Sequence, residues 1–285
     1  MENLRGRTAF ITGGASGIGL SMAEAFGREG MSVMLADIEP AALETALQGL
    51  REKQIRAEGV VTDVTSRAAV QAAADAAIAA FGKVHVVCNN AGVGAGGPLG
   101  TVQPADWDWV IDVNLKGVVY GVEVFTPLIE AHGEGGHFVN TASLAGMVSP
   151  PGMEPYCATK FAVVAMSEGW AEQLAPKNIG MSVLCPGFVK TRINESRRNR
   201  PTAYGPDERA APPADAPPSR VLSGIPVEPV GRRVVEAVKA NELYVFTHPG
   251  SKAGVAARFD RILAAFDVAE ASPALADVPR GQGDL

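Results

Sequence analysis

Short apolar runs alternate with longer helical patterns along almost the whole chain, and this alternation constrains the fold more than any other feature. The runs are near-continuously apolar, which is typical of a parallel sheet covered by helices on both faces. The sequence therefore predicts an α/β fold with a doubly wound parallel sheet in a single domain. The predicted strands, about seven in all, cover residues 8–14, 32–38, 55–64, 84–92, 136–143, 180–187 and 243–248.

The glycine-rich segment "TGGASGIG" joins the first predicted strand to the first predicted helix. The free N–H groups and the dipole of a helix N-terminus favour a pyrophosphate, and glycines let it approach the backbone. A strand followed by such a turn and a helix is the arrangement of a Rossmann-type dinucleotide site. The residues predicted to line it are Gly13, Ser16, Gly17, Ile18 and Gly19.

Asp37 ends the second predicted strand about 20 residues after the glycines, where an acid can bind a ribose 2′-hydroxyl. Its carboxylate would repel the 2′-phosphate of NADP, and Ile38 follows it without adding a positive charge. NAD is therefore the predicted cofactor. A turn acid that leads into the next helix is the alternative interpretation of Asp37. After the third strand, Asp63 is predicted to meet the adenine amino group and Val64 the adenine ring.

Composition argues against several other classes of protein. The net charge is −6 and no basic block occurs in the first 190 residues, so nucleic acid is not an expected partner. The three cysteines and four histidines are scattered, so no metal site is predicted. No uncharged run approaches the length of a membrane span, and no signal-peptide pattern precedes the glycines. A soluble, cytoplasmic protein is expected.

"YCATK" places Tyr156 four residues before Lys160, on one face of a predicted helix. Such pairs are common surface decoration. A tyrosine, with a pKa of about 10, is a poor base near neutral pH, but a cation one turn away would lower that pKa. The pair could thus make a phenol usable as a general acid or base.

Further motifs follow in a fixed order along the chain. "NNAG" (89–92) ends the fourth strand, Asn114 lies in the helical region 104–132, and "PGFVKT" (186–191) follows the sixth strand. Together with the glycine turn, Ser143 and "YCATK", they resemble the short-chain dehydrogenase/reductase family. The resemblance covers roughly residues 6–190 and 228–250.

This resemblance implies an enzyme that interconverts a secondary alcohol and a ketone with NAD. It implies that Ser143 hydrogen-bonds the substrate oxygen and stabilises the charge that develops there. It also implies that Lys160 holds the nicotinamide ribose and that Asn114 holds a water that relays protons. The predicted catalytic set is Asn114, Ser143, Tyr156 and Lys160. The remaining cofactor contacts are predicted at Asn90, Ala91, Gly92, Pro186, Gly187, Val189 and Thr191.

Eight prolines between Pro201 and Pro229 interrupt the strand–helix rhythm. Residues 190–228 are therefore predicted to form a substrate lid with few backbone partners. The arginines within it are interpreted as a solvated basic loop, with attraction of an anionic group as the alternative; they are Arg192, Arg197, Arg198 and Arg200. The predicted catalytic domain spans residues 1–267, and residues 268–285 a flexible tail.

The C-terminal third resembles dehydrogenases that oxidise the benzylic alcohol of lignin-type β-aryl ethers, which implies a bulky aromatic or hydrophobic substrate. A hydroxysteroid dehydrogenase and a nonenzymatic NAD-binding sensor stay open as alternatives. The family resemblance also implies a homodimer or homotetramer. The expected pocket wall is apolar and consists of Leu144, Met147, Val148, Met153 and Phe188.

Overall fold

The structure, a computed structural model, describes residues 1–207 and 219–278. Its centre is a seven-stranded sheet in the order β3-β2-β1-β4-β5-β6-β7. Every pair of neighbouring strands is parallel. The predicted doubly wound sheet is confirmed. The strands are β1 (Thr8–Thr12), β2 (Ser32–Asp37), β3 (Ala57–Val61), β4 (Val86–Asn89), β5 (Gly136–Thr141), β6 (Ile179–Cys185) and β7 (Tyr244–Phe246).

Helices cover both faces of the sheet. One hydrophobic cluster joins the sheet to α1, α2 and α7, and a second joins it to α3, α5 and α6. This division explains why the central strands β1 and β5 are buried along their whole length. The helices are α1 (Gly17–Arg28), α2 (Pro40–Glu52), α3 (Arg67–Phe81), α4 (Pro104–Ile111), α5 (Gly117–His132), α6 (Glu154–Leu174), α7 (Glu228–Ala240) and α8 (Lys252–Glu270).

The continuously apolar pattern fails at the sheet edges. In β3, only Ala57 is fully buried, and in β7 the side chains of Tyr244 and Phe246 are exposed. Edge strands have a neighbour on one side only, so their outer residues face solvent. The core strands are thus the ones whose sequence carries the signal of a parallel sheet.

The direction of the winding reverses between β1 and β4, which are neighbours in the sheet. From this point β2 and β3 extend the sheet toward one edge, and β5, β6 and β7 extend it toward the other edge. The connections therefore diverge here, and a crevice opens at the carboxyl ends of the strands. The glycine turn follows β1 and "NNAG" follows β4, so both line this crevice. The region 104–132 is helical throughout, as predicted, but a π-helix (Asp112–Lys116) separates α4 from α5.

Two compact units make up the chain, residues 1–247 and 248–285. The second unit contains α8, whose side chains include exposed Phe259, Leu263 and Phe266. The sequence predicts a tail from residue 268, whereas α8 continues to Glu270. Within residues 1–207 and 219–278, no helix combines the length and the apolar character that crossing a membrane would take.

Candidate active site

The glycine turn is shaped by close approach of two loops. Gly13 and Gly17 have φ angles of +60° and +56°, a region that favours glycine. A Cβ atom at Gly13 would lie 2.9 Å from the Cα atom of Ala91, and one at Gly19 would overlap the carbonyl oxygen of Gly13. The turn therefore leaves the backbone at the start of α1 bare, as a pyrophosphate site requires.

Thr12 and Asn90 tie the loop after β1 to the loop after β4. The Thr12 hydroxyl accepts hydrogen bonds from the backbone N–H groups of Asn90 (2.9 Å) and Ala91 (3.0 Å). The Asn90 amide donates back to the carbonyl oxygens of Thr12 and Gly13. The Asn90 side chain thus fixes the backbone at the start of the glycine turn. This role of Thr12 was not predicted from the sequence, although its position directly before the glycines could have indicated it.

Asp37 lies at the carboxyl end of β2 and is 9% exposed. Its two oxygens accept hydrogen bonds from the backbone N–H groups of Ala15 (2.9 Å) and Glu39 (3.1 Å). These bonds fix the carboxylate beside the glycine turn, where a ribose would lie. Ile38 is 38% exposed next to it.

The loop after β3 holds the two residues predicted to meet the adenine. Asp63 accepts hydrogen bonds from the backbone and the hydroxyl of Thr65, and partly exposed acceptor capacity remains on its carboxylate. Val64 is 8% exposed and packs beside Gly117 at the start of α5.

Ser143, Tyr156 and Lys160 converge at the carboxyl ends of β5 and β6. Tyr156 lies in the first turn of α6 and shares a hydrogen bond with the Ser143 side chain. Lys160 is 2% exposed, donates to the carbonyl oxygen of Thr141 at 2.7 Å, and lies 5.5 Å from the centre of the Tyr156 ring. The Lys160 ammonium is therefore buried next to the Tyr156 phenol, so the interpretation of this pair as surface decoration is wrong.

Asn114 belongs to the π-helix and is fully buried. Its side chain accepts a hydrogen bond from the backbone N–H of Val93 (2.8 Å) and donates to the carbonyl oxygen of Val93 (2.9 Å). A Cβ atom at Gly92 would lie 3.3 Å from the Asn114 amide oxygen and 3.6 Å from the Lys160 Nζ. The π-helix thus places Asn114 beside Lys160, where π-helical turns often mark functional positions.

Electrostatics at this pair differ from the sequence expectation. Burial raises the pKa of Tyr156 to about 12, although its hydrogen bond to Ser143 acts in the opposite direction. Burial lowers the pKa of Lys160 to about 8. The expected lowering of the Tyr156 pKa by Lys160 is therefore not seen, because desolvation of both groups outweighs their proximity.

"PGFVKT" follows β6 and closes the crevice from a third side. The Pro186 carbonyl oxygen accepts a hydrogen bond from the backbone of Leu144 (2.9 Å), which ties this segment to the Ser143 loop. Val189 is buried and bridges to Ile225, and the Thr191 methyl group lies against Gly17. Gly187 lies between them, half-buried.

The expected pocket wall is only partly open. Met147 is buried, Leu144, Val148 and Met153 are half-buried, and Phe188 is 45% exposed. These five apolar side chains thus range from buried to exposed, and Phe188 is the most accessible of them.

The interpretation of the lid arginines as a solvated basic loop is wrong for two of them, Arg197 and Arg200, whose side chains are largely shielded from solvent. Arg197 and Arg200 both pair with Asp106 of α4 at 2.9 Å, and Arg198 pairs with Glu39. Asp106 is 4% exposed and could not be identified in the sequence, because its partners lie about 90 residues away. Residues 208–218 of the predicted lid lie outside the described residues.

A group of possible metal ligands, His85, His132 and Glu134, lies away from this site, at the amino end of β4. His85 already accepts from the backbone of Thr8 and bonds Glu134, and His132 accepts from the Glu134 backbone. Their ligand atoms are thus engaged in hydrogen bonds. The absence of a metal site stays a prediction.

A doubly wound sheet, a glycine cradle at its switch point and a buried lysine beside a partly buried tyrosine define a dinucleotide-dependent oxidoreductase. Residues 7–202 match the family model described as short chain dehydrogenase. The chain belongs to the short-chain dehydrogenase family.

Three relatives illustrate this membership. The chain is 34% identical to C alpha-dehydrogenase of a Sphingobium strain, over 96% of this chain and 90% of the relative. It is 37% identical to 3beta-hydroxysteroid dehydrogenase 2 of Eggerthella lenta, over 68% of this chain and 75% of the relative. A short chain dehydrogenase/reductase of Burkholderia phymatum, solved in complex with NAD, superposes with a TM-score of 0.85. It is 41% identical and covers 92% of this chain and 96% of that one.

Proposed function

We propose that this protein is an NAD-dependent dehydrogenase that interconverts a secondary alcohol and a ketone, and that its substrate is bulky and aromatic or hydrophobic. The observation that carries the proposal is the buried Lys160 ammonium beside the Tyr156 phenol, which itself is bonded to Ser143. A buried lysine with one hydrogen bond is costly and is retained where its charge is used.

The crevice fits NAD. The bare glycine turn would hold the pyrophosphate, and the carboxylate of Asp37, fixed by the backbone N–H of Ala15, would accept hydrogen bonds from the adenosine ribose. The Burkholderia relative with NAD supports this cofactor. We assign the nicotinamide end to Tyr156, Lys160, the Val189 backbone and Thr191, and the middle of the cofactor to the loop 90–92.

Bound NAD supplies the hydride acceptor for the carbinol carbon. Tyr156 exchanges the proton of the substrate oxygen at its phenolic oxygen, and Ser143 donates a hydrogen bond to that same oxygen as charge develops there. Lys160 keeps a positive charge near the phenolic oxygen and binds the ribose. Asn114, beside Lys160, holds the water that connects the Lys160 ammonium to solvent.

The raised pKa of Tyr156 keeps the phenol protonated near neutral pH. In that form it can donate a proton to a ketone oxygen. Oxidation of the alcohol needs the phenolate, so its rate should rise with pH, and the positive charge of the oxidised nicotinamide would assist. The two directions thus differ in their pH dependence for a reason that lies in the burial of Tyr156.

The substrate class rests on the apolar wall and on the relatives. Phe188, in the segment that follows β6, is 45% exposed, and the C alpha-dehydrogenase relative extends over nearly the whole chain. A hydroxysteroid is the second candidate, because the Eggerthella relative is slightly more identical over a shorter stretch. Turnover of a panel of benzylic and steroid alcohols with NAD, followed by NADH absorbance, separates the two.

Tyr156→Phe tests the catalytic assignment, because it removes one oxygen and leaves the packing of α6 intact. We expect kcat to fall by at least ~10²-fold, since a positioned proton donor contributes about that much. NAD binding, measured by calorimetry, should be nearly unchanged. Lys160→Ala should weaken both turnover and NAD binding, because Lys160 has two roles. A Tyr156→Phe enzyme that keeps most of its turnover would overturn the assignment.

Cytoplasmic location, assembly into a homodimer or homotetramer, and the extent of the catalytic domain to residue 267 stay predictions. Light scattering at micromolar concentration determines the assembly.

A further inference from the structure

The segment 191–200, named the strap here, contacts the glycine turn, the loop after β4, α4 and Glu39, which follows β2. At its start the Thr191 methyl group lies against Gly17 of the glycine turn. Further on, the Ser196 hydroxyl accepts a hydrogen bond from the backbone of Gly94, in the loop after β4, at 3.0 Å. The middle of the strap is the 3-10 helix Ile193–Asn199.

One face of this turn is anchored to α4. Arg197 and Arg200, three residues apart, both donate to the carboxylate of Asp106 at 2.9 Å. The side chains of Arg200 and Asp106 are 4% and 6% exposed, so this anchor is shielded from solvent and salt. It fixes the strap on the β4 side of the crevice.

The other face of the turn is bonded to Glu39. Arg198 donates to Glu39 through Nε (3.3 Å) and Nη2 (2.5 Å), and the Asn199 amide donates at 2.9 Å. These bonds, with that from Arg198 the strongest, lower the pKa of Glu39. The backbone N–H of Glu39 in turn donates to Asp37, so the two acids belong to one bonded corner.

Glu39 follows β2 and Asp106 follows β4, and these strands flank β1 on its two sides. A turn that is bonded to both acids therefore crosses the crevice at the carboxyl end of β1. This is where the glycine turn lies, and where a dinucleotide would run. Building on the proposed NAD site, we propose that Glu39, Arg198 and Asn199 form a latch that holds the strap over the adenosine half of the dinucleotide and slows its release.

The latch and the anchor differ in a way that suits these roles. The Arg198 and Glu39 side chains are 27% and 25% exposed, so solvent and salt reach them, unlike the Asp106 anchor. Partly exposed ion pairs are weak enough to open on the timescale of turnover. Opening at Glu39 alone would free the adenosine corner while the strap stays attached to α4.

The test measures NADH release from the intact enzyme by stopped-flow fluorescence, in the parent, Glu39→Gln, Arg198→Gln and the double variant. We expect each single variant to release NADH about three- to tenfold faster, and the double variant to be no faster than either single one. Raising the salt concentration should accelerate release from the parent more than from the variants.

Glu242→Gln is the matched control, since Glu242 also forms a two-point pair with a partly exposed arginine, Arg233, before β7. It should release NADH at the parent rate. The sign of the Glu39→Gln effect is diagnostic. Removing a negative charge near an anionic cofactor would by simple electrostatics slow its release, whereas an opened latch speeds it.

Unchanged or slower release from Glu39→Gln, in a parent enzyme that binds NADH, would overturn the latch. A parent enzyme that binds no NADH would instead overturn the proposed function. Independent, additive effects of Glu39→Gln and Arg198→Gln would also count against the latch, because the two residues would then act through separate contacts.

Discussion

At the scale of single residues, the site is built from groups held in unfavourable surroundings. Lys160 is an almost fully buried cation with one hydrogen bond, to the Thr141 carbonyl, and its pKa is lowered to about 8. Tyr156 is pushed the other way, to about 12. Both shifts come from desolvation, so holding the two groups here costs stability, which is typical of functional sites.

Lys160→Met should therefore abolish turnover and yet stabilise the fold at pH 7, by about 1–2 kcal/mol. Methionine has a similar length, fills the same space and needs no counter-charge. The unfolded lysine titrates near 10.5 and the folded one near 8, so the parent carries the full penalty below pH 8 and loses it as pH rises toward 10.5. The advantage of the variant should shrink over that window.

Guanidinium unfolding followed by tryptophan fluorescence at pH 7 and pH 9.5 measures this difference. Tyr156→Phe is a useful companion variant, since it is inactive but keeps the buried ammonium and should not gain stability in the same way. A Lys160→Met protein that is less stable than the parent at pH 7 would contradict the argument.

Asp37 is the residue proposed to determine the choice of dinucleotide by its charge. Its carboxylate is fixed by two backbone N–H groups and cannot turn away from a 2′-phosphate. We expect kcat/KM with NAD to exceed that with NADP by at least ~10²-fold. Asp37→Asn keeps an acceptor oxygen but removes the charge, so it should narrow this preference. Comparable kcat/KM for both cofactors in the parent would show that Asp37 is only a turn acid.

At the scale of elements, the sequence predicted what is local and missed what is distant. The strands and the glycine turn follow from periodicity and short motifs. The π-helix was not predictable, because its hydrophobic pattern continues that of the flanking helices. The Asp106 anchor was missed because a buried carboxylate on a helix is recognisable only with its arginine partners in place.

Gly121, inside α5, shows how a helix is shaped by a neighbouring strand. Helix propensity alone says that Gly121→Ala should stabilise the protein by about 0.8–1 kcal/mol. A Cβ atom there would overlap the amide oxygen of Asn89, a 2% exposed residue of β4 that donates to Asn140. We therefore expect the opposite sign, a destabilisation of about 1–3 kcal/mol from overpacking.

Gly49→Ala in α2 is the control, because a Cβ atom at Gly49 meets nothing within 4 Å. It should show the ordinary gain from helix propensity. Chemical denaturation of both variants measures whether each substitution raises or lowers the free energy of unfolding. Stabilisation by both substitutions would mean that Asn89 can move aside without loss of its bonds.

At the scale of the whole molecule, the two ends of the strands, called the carboxyl edge and the amino edge of the sheet, carry different kinds of residues. The carboxyl edge gathers the glycine turn, the proposed catalytic residues and the strap, and the convergence of the motifs there could be predicted because parallel strands bring their ends together. The amino edge carries buried polar groups that belong to no recognisable sequence motif. His137 on β5 is 1% exposed, and its Nε2 bonds the Ser182 hydroxyl, which donates to the Glu242 carbonyl.

His137 should make the whole fold sensitive to acid. Burial lowers its pKa to about 3, and its Nδ1 has no hydrogen-bond partner among the described residues. The unfolded histidine titrates near 6.5, so between pH 6.5 and pH 3 the unfolded chain binds the extra proton, and stability falls as pH falls. By pH 4.5 this one group should cost about 2–3 kcal/mol of unfolding free energy relative to pH 7.

His137→Gln should lose correspondingly less stability over that range in urea titrations, even if it is less stable at pH 7. Ser182→Ala removes the hydroxyl partner but keeps the buried imidazole, so its acid loss should match the parent's. If His137→Gln and the parent lose stability in parallel, the acid sensitivity of this fold has another source.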